Sequence, residues 1–106
     1  MRTLYYKVIG QRLRPVGDHT GLVKGTQGYL KACFLFESEW NVYKKVASFY
    51  GEDGTEYAIV LDADGTCMIP SQALTYSTFE VRLWGQINDT VIPTNLVREH
   101  QSGGDK

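Results

Sequence analysis

Asp62, Asp64 and Gly65 are spaced like the start of a calcium-binding loop, in which alternate carboxylates supply oxygen ligands. A complete loop of that kind also needs a third acidic position and a distal glutamate, and the sequence has neither. Asp-Gly is also a frequent hairpin turn, because glycine adopts the left-handed backbone that tight turns use. We therefore predict a turn at residues 62–65 and no metal site.

Four other carboxylates are candidates for acid–base catalysis, which uses pairs of acidic groups held in different protonation states. They are Glu37, Glu39, Glu52 and Asp53. Each lies in a predicted loop beside turn residues, where acidic side chains are usually solvated. The sequence therefore does not predict a catalytic pair.

The histidines and cysteines do not form a recognisable catalytic or metal-binding motif. His19 and His100 lie near opposite ends of the chain, and no serine or cysteine stands in a nucleophile motif such as GxSxG. Cys33 and Cys67 fall within predicted strands without nearby histidines, so we predict free thiols rather than a disulfide or a zinc site. We predict no catalytic residue, no metal and no cofactor.

Trp84 carries the strongest indication of a binding role. It falls on the polar face of a predicted strand, in alternation with Arg82 and Glu80, and tryptophan beside arginine is typical of protein interfaces. Three interpretations stay open: an anchor for a protein partner, a platform for a stacked sugar, or a strand-end residue covered by a loop. Tyr43 and Trp40, which follow the first long apolar run, complete the predicted interface set.

The alternation of apolar and polar residues predicts the strands that position these side chains. It is clearest at residues 30–36 and 78–84, and turn residues separate the other short apolar runs. Pro70 opens a predicted helical turn at 70–74. We predict an all-β fold, an antiparallel β-sandwich of immunoglobulin-like type with about 7–9 short strands. One domain covers residues 1–100, followed by a flexible tail at 101–106.

The charge balance argues against a polyanionic partner. The 106 residues include 11 basic and 12 acidic side chains, which give a formal net charge of −1. Because such a chain has no strong overall field, we predict neither a nucleic-acid nor a membrane partner. The N-terminus lacks the apolar segment of a signal peptide, and no apolar run approaches the ~20 residues of a membrane span, so we expect cytoplasmic synthesis.

Several motifs occur in a fixed order between Tyr5 and Val97. They are an F-x-F-x-x-x-W corner at 34–40, a K-x-A-x-F strand at 45–49, a D-x-x-G-x-C-x-I-P segment at 62–70 and a V-x-L-x-G strand at 81–85. In this order they resemble the N-terminal β-sandwich domain of baseplate, tail-fibre and minor structural proteins in phages and prophages of Gram-positive bacteria. One departure is Ser71, which stands where an aromatic residue is common.

The resemblance implies a non-enzymatic structural or assembly protein of the phage tail, baseplate or neck. Such a protein docks other phage structural proteins, can form a homo-oligomer, and is made in the host bacterial cytoplasm before it joins the virion. The motifs concern packing, so the resemblance supplies no active-site residues. The alternative is a carbohydrate-binding module for host cell-wall glycan, in which Trp84 or Trp40 contacts the sugar.

Overall fold

The computed structural model describes residues 1–103 and shows two sheets packed as a sandwich. Its strands are β1 (Arg2–Ile9), β2 (Arg12–Val16), β3 (Leu30–Phe36), β4 (Lys44–Gly51), β5 (Glu56–Val60), β6 (Thr66–Met68), β7 (Thr78–Ile87), β8 (Thr90–Pro93) and β9 (Val97–His100). Two 3₁₀ turns, Ser38–Val42 and Ser71–Leu74, lie between them. The predicted all-β sandwich and its helical turn near 70–74 are confirmed. No helix within residues 1–103 has the length and apolar character of a membrane span.

Sheet 1 has the strand order β2-β1-β3-β6. β1 and β2 form a hairpin through Gly10, whose φ of +57° suits a tight turn. β1 and β3 run parallel, because residues 17–29 carry the chain past the start of β1 to its other edge before β3 begins. The other strand pairs of the described residues are antiparallel, as predicted.

Sheet 2 has the order β5-β4-β7, and both β8 and β9 pair with the remaining edge of β7. β8 ends at Pro93, which cannot donate a backbone hydrogen bond and is therefore suited to an edge strand. Thr94, the residue after β8, continues the pairing with β7, since its backbone N–H donates to the Leu83 carbonyl at 3.0 Å. The result is one long central strand, β7, that contacts three others and supports the middle of the sheet.

Trp40 connects the two sheets at one end of the sandwich. It lies in the first 3₁₀ turn, its side chain is 0% exposed, and its Nε1–H donates to the Gly10 carbonyl at 2.9 Å. Its ring contacts Phe36 and Tyr43, with centroid distances of 5.4 and 5.6 Å. A Cβ on Gly85 would lie 2.7 Å from Trp40 Cζ3, so the ring fits because residue 85 has no side chain.

The predicted tail at 101–106 lies partly outside the described residues, which end at 103. Gln101 is buried, and its amide Nε2 donates to the Tyr76 carbonyl at 2.8 Å. Ser102 pairs with Val23 in a parallel bridge, and its backbone N–H donates to the Leu22 carbonyl at 2.7 Å. The folded domain therefore includes Gln101 and Ser102.

The prediction of free thiols is confirmed. Cys67 is buried on the inner face of sheet 1, whereas Cys33 is half-buried and lies opposite Thr66 on the outer face. Burial raises the pKa of the Cys67 thiol from its ordinary value of 9.0 to about 12. Burial also raises the pKa of Cys33, which remains partly accessible.

We expect iodoacetamide near neutral pH to alkylate Cys33 about tenfold or more faster than Cys67 in the folded protein. The thiolate is the reacting species, and a raised pKa and burial together suppress its attack at Cys67. Timed alkylation followed by peptide mass spectrometry measures both rates, and the two should become similar in denaturant. Equal rates in the folded protein would contradict this assignment of the two environments.

Candidate functional site

An apolar band crosses the outer, solvent-facing side of sheet 2. Val46 on β4 lies opposite Val60 on β5 and opposite Trp84 on β7. Trp84 in turn lies opposite Pro93 on β8. Their neighbours Ala47 and Leu83 point inward and are buried, so these four residues share the outer face. We call Val60, Val46, Trp84 and Pro93 the apolar band.

Trp84 is held in one orientation by polar contacts on both sides. Its indole Nε1–H donates to Ser48 Oγ at 2.9 Å, and Ser48 Oγ–H donates to Glu56 Oε2 at 2.5 Å. Although Ser48 points to the outer face, it is completely buried. The Arg82 guanidinium lies over the indole ring, 5.4 Å from its centroid, while Arg82 Nε–H donates to the Thr94 carbonyl at 3.1 Å.

This geometry suits a protein contact better than a stacked sugar. A fixed tryptophan loses little conformational entropy on binding, and tryptophan and arginine are the residues that most often dominate interface energies. Sugar stacking needs an open ring face, and Arg82 already occupies one of the two faces of the Trp84 ring. The structure thus brings together two of the predicted interface residues, Trp84 and Arg82.

The other two predicted interface residues lie elsewhere. A Cβ on Gly85 would contact Trp40 and Tyr43, which places both on the inner side of sheet 2, opposite to Trp84. Trp40 is fully buried and cannot contact a partner in this fold, so its place in the interface set is corrected. Tyr43 is half-buried and packs against the core beside Trp40.

The acidic residues considered for catalysis serve mainly to hold turns. Glu37 Oε1 accepts a hydrogen bond from the Gly10 backbone N–H at 3.0 Å, across the β1–β2 turn. Glu52 Oε1 accepts from Ser77 Oγ at 3.1 Å and from the Thr78 backbone N–H at 3.3 Å. Glu39 is exposed in the first 3₁₀ turn.

Asp53 and Asp64 each close a turn through a threonine two residues later. The hydroxyl of Thr66 donates to Asp64 at 2.6 Å, and that of Thr55 donates to Asp53 at 3.0 Å. The backbone N–H of Thr55, followed by its hydroxyl, lowers the pKa of Asp53, and the hydroxyl of Thr66 lowers the pKa of Asp64. Within residues 1–103 no three metal-ligating side chains come together, and the 62–65 segment is a turn.

Sequence reasoning missed a buried polar group that links the two sheets. Glu99 on β9 is 5% exposed and points inward, where its Oε2 accepts a hydrogen bond from the Tyr6 hydroxyl of β1 at 2.6 Å. His19 Nδ1 lies 2.7 Å from the same oxygen. We call Tyr6, His19 and Glu99 the Glu99 cluster. The spacing of Val97 and Glu99 could have indicated this group. The two residues are two positions apart in β9, so Glu99 points inward on the same side as the apolar Val97.

The contacts of His19 fix the position of the hydrogen on one of its ring nitrogens. Its Nε2 faces two backbone carbonyl oxygens, of Tyr5 at 2.9 Å and of Val16 at 3.0 Å, so Nε2 must carry a hydrogen. Its Nδ1 lies 2.7 Å from Glu99 Oε2. A proton therefore lies between these two atoms, and His19 and Glu99 form a direct hydrogen bond.

The Glu99 cluster is a buried polar contact that links a loop to both sheets. Both ring nitrogens of His19 are already engaged by partners within the fold. Burial, followed by the Glu99 charge and its hydrogen bond, raises the pKa of Tyr6 well above its ordinary value of 10.0, so that hydroxyl remains a donor. The loop that carries His19 is tied in this way to β1 and β9.

A scan against models of known protein families and a search of curated proteins both gave no match to this chain. The resemblance to phage tail domains stays a prediction from the sequence motifs.

Proposed function

We propose that this chain is a non-enzymatic structural or assembly protein of a phage or prophage tail, baseplate or neck, and that its task is to dock other structural proteins. The observation that carries the docking role is the apolar band, which crosses four strands on the solvent side of sheet 2. Contiguous apolar surface of this kind on a small domain is typical of protein-binding sites. The phage assignment rests on the sequence motifs.

Trp84 and Arg82 act as the central anchors of this surface. Trp84 is the largest side chain of the band and is already oriented by Ser48, so a partner can cover it without first ordering it. Val60 is 57% exposed and Val91, farther along on β8, is 54% exposed, which extends the apolar contact area. The partner is another phage structural protein or a second copy of this chain.

Trp84→Asp is expected to reduce incorporation of the chain into phage particles by tenfold or more, because a charge in the centre of a desolvated contact removes a dominant anchor. Particles from the bacterium that encodes the chain are purified on a density gradient, and the chain is quantified in them by mass spectrometry. Val60→Asp, which breaks no side-chain hydrogen bond, should act in the same direction. Val42→Asp is the matched control, since Val42 is 63% exposed in the first 3₁₀ turn, outside the band.

Two results would contradict the proposal. If the wild-type chain is absent from purified particles, it is not a virion component. If Trp84→Asp and Val60→Asp are both incorporated normally, the apolar band is not the docking surface. Thermal unfolding of each purified variant separates a folding defect from a docking defect.

A further inference from the structure

The outer face of sheet 1 gathers basic side chains that are scattered in the sequence. Lys7 on β1 lies directly opposite Arg14 on β2, and Arg12 lies opposite Ile9 on the next outward-facing pair. All three cations are exposed. The charged side chains on this face of β1, β2 and β3 are Lys7, Arg12, Arg14 and Lys31, all of them basic.

The three cations of the hairpin lack acidic partners within the described residues. The ion pairs of residues 1–103 are formed by other residues, and no side-chain hydrogen bond engages Lys7, Arg12 or Arg14. Like charges directly opposite one another on neighbouring strands destabilise a sheet. Lys7 opposite Arg14 is such a pair, so the isolated fold bears a repulsion that a bound anion would relieve.

These cations surround a concave surface. Lys7, Arg12, Arg14 and Ile9 line a depression of about 320 Å³ on the β1–β2 hairpin. Guanidinium groups bind phosphate through two parallel hydrogen bonds, and a neighbouring ammonium adds a point charge. Three cations around one depression are therefore suited to neighbouring phosphate groups of one strand, one phosphate to each cation.

An exposed aromatic residue lies on the same face beside these cations. Tyr5 is 47% exposed and precedes Lys7 by two residues on β1, so the two side chains are neighbours on the outer face. Tyr29, just before β3, is 52% exposed. Cations that contact phosphates, together with aromatic rings on which bases stack, are the combination by which sheets bind single-stranded nucleic acid.

We propose that Lys7, Arg12 and Arg14 bind the phosphates of a single-stranded nucleic acid whose bases stack on Tyr5. The net charge of −1 argued against such a partner, but it averages this basic face with an acidic remainder. Lys31 is left out of the site because it lies near the Asp64 carboxylate. The pKa of Asp64 is lowered first by the Thr66 hydroxyl and further by the positive charge of Lys31. This site is separate from the apolar band, which lies on the other sheet.

The test is fluorescence anisotropy of a labelled twelve-residue oligo(dT) with the full chain, over a series of salt concentrations. Each phosphate contact with a single strand contributes about 0.7 to the slope of log affinity against log salt, so a slope of about −2 is expected. Arg14→Gln should reduce the slope by about 0.7, and the triple variant Lys7→Gln, Arg12→Gln, Arg14→Gln should lose binding. Arg98→Gln removes the same charge on sheet 2 and should change neither value.

A second arm tests the bases with an abasic oligomer of the same length. Base–aromatic stacking predicts that Tyr5→Ala weakens oligo(dT) binding by about fivefold or more and leaves the abasic oligomer unaffected. Equal binding of both oligomers with no effect of Tyr5→Ala would overturn the nucleic-acid assignment and leave a base-free phosphodiester as the ligand. If the chain does not bind oligo(dT) at low salt, or if Arg98→Gln weakens binding as much as Arg14→Gln, the proposed site is wrong. Trp84→Asp should bind oligo(dT) normally, which keeps this test independent of the docking proposal.

Discussion

Trp40→Ala is expected to lower the free energy of unfolding by about 3–5 kcal/mol, the usual cost of deleting a large aromatic side chain from a core. Trp40 is fully buried between Phe36 and Tyr43, and the space it occupies depends on the missing side chain of Gly85. Its indole also satisfies the Gly10 carbonyl. A loss of this size is a large fraction of the 5–15 kcal/mol by which domains are typically stable. Urea unfolding followed by fluorescence or circular dichroism measures it.

Two further variants separate the contributions of Trp40. Trp40→Phe keeps an aromatic ring but loses the hydrogen bond to Gly10, and should cost less than the alanine variant. Val42→Ala, in the same 3₁₀ turn but 63% exposed, should change stability by less than about 0.5 kcal/mol. An unchanged free energy of unfolding in Trp40→Ala would mean that the Trp40 side chain does not stabilise the core. Trp40 would then again be a candidate interface residue.

His19→Ala is expected to cost about 1–3 kcal/mol, the usual penalty when a buried polar group loses a hydrogen-bond partner. The variant leaves the Glu99 carboxylate buried with the Tyr6 hydroxyl as its remaining polar contact. His100→Ala is the matched control, because His100 is exposed on the same strand as Glu99 and should change stability by less than about 0.5 kcal/mol. Denaturant unfolding of the three proteins gives the comparison.

A double-mutant cycle isolates the contact between His19 and Glu99. Glu99→Gln replaces the carboxyl group but keeps an acceptor for Tyr6, so the double variant with His19→Ala should lose less stability than the sum of the two single variants. Strict additivity would contradict a direct interaction between the two side chains. It would mean that His19 stabilises the fold through its carbonyl contacts with Tyr5 and Val16 alone.

The local pattern of the sequence predicted much of the fold. Alternation in 30–36 and 78–84 identifies β3 and β7 because one side of each strand must be apolar to face the core. Pro70 marks the second 3₁₀ turn, and Asp-Gly marks the turn at 62–65. The parallel pairing of β1 with β3 did not follow from any local signal, since it depends on how residues 17–29 cross the end of the sheet.

The roles of the two tryptophans show where local pattern is insufficient. Alternation placed Trp84 on the outer face, and the structure agrees, but its hydrogen bond to Ser48 joins strands 36 residues apart in sequence. Trp40 lies in a polar segment, Glu37–Asn41, and the sequence placed it in the predicted interface set. It is buried because the 3₁₀ turn points it between the sheets, into space left free by Gly85.

By itself, the sequence determined most of the strands and turns, and that the fold is all-β. These properties depend on side-chain periodicity and turn chemistry, which act over a few residues. Only the tertiary structure decided which side chains share a surface. It placed His19 and Glu99 in contact across 80 residues, aligned Val60, Val46, Trp84 and Pro93 in one band, and put Lys7 opposite Arg14. Strand register sets such neighbours, and register is fixed by the packing of the whole sandwich.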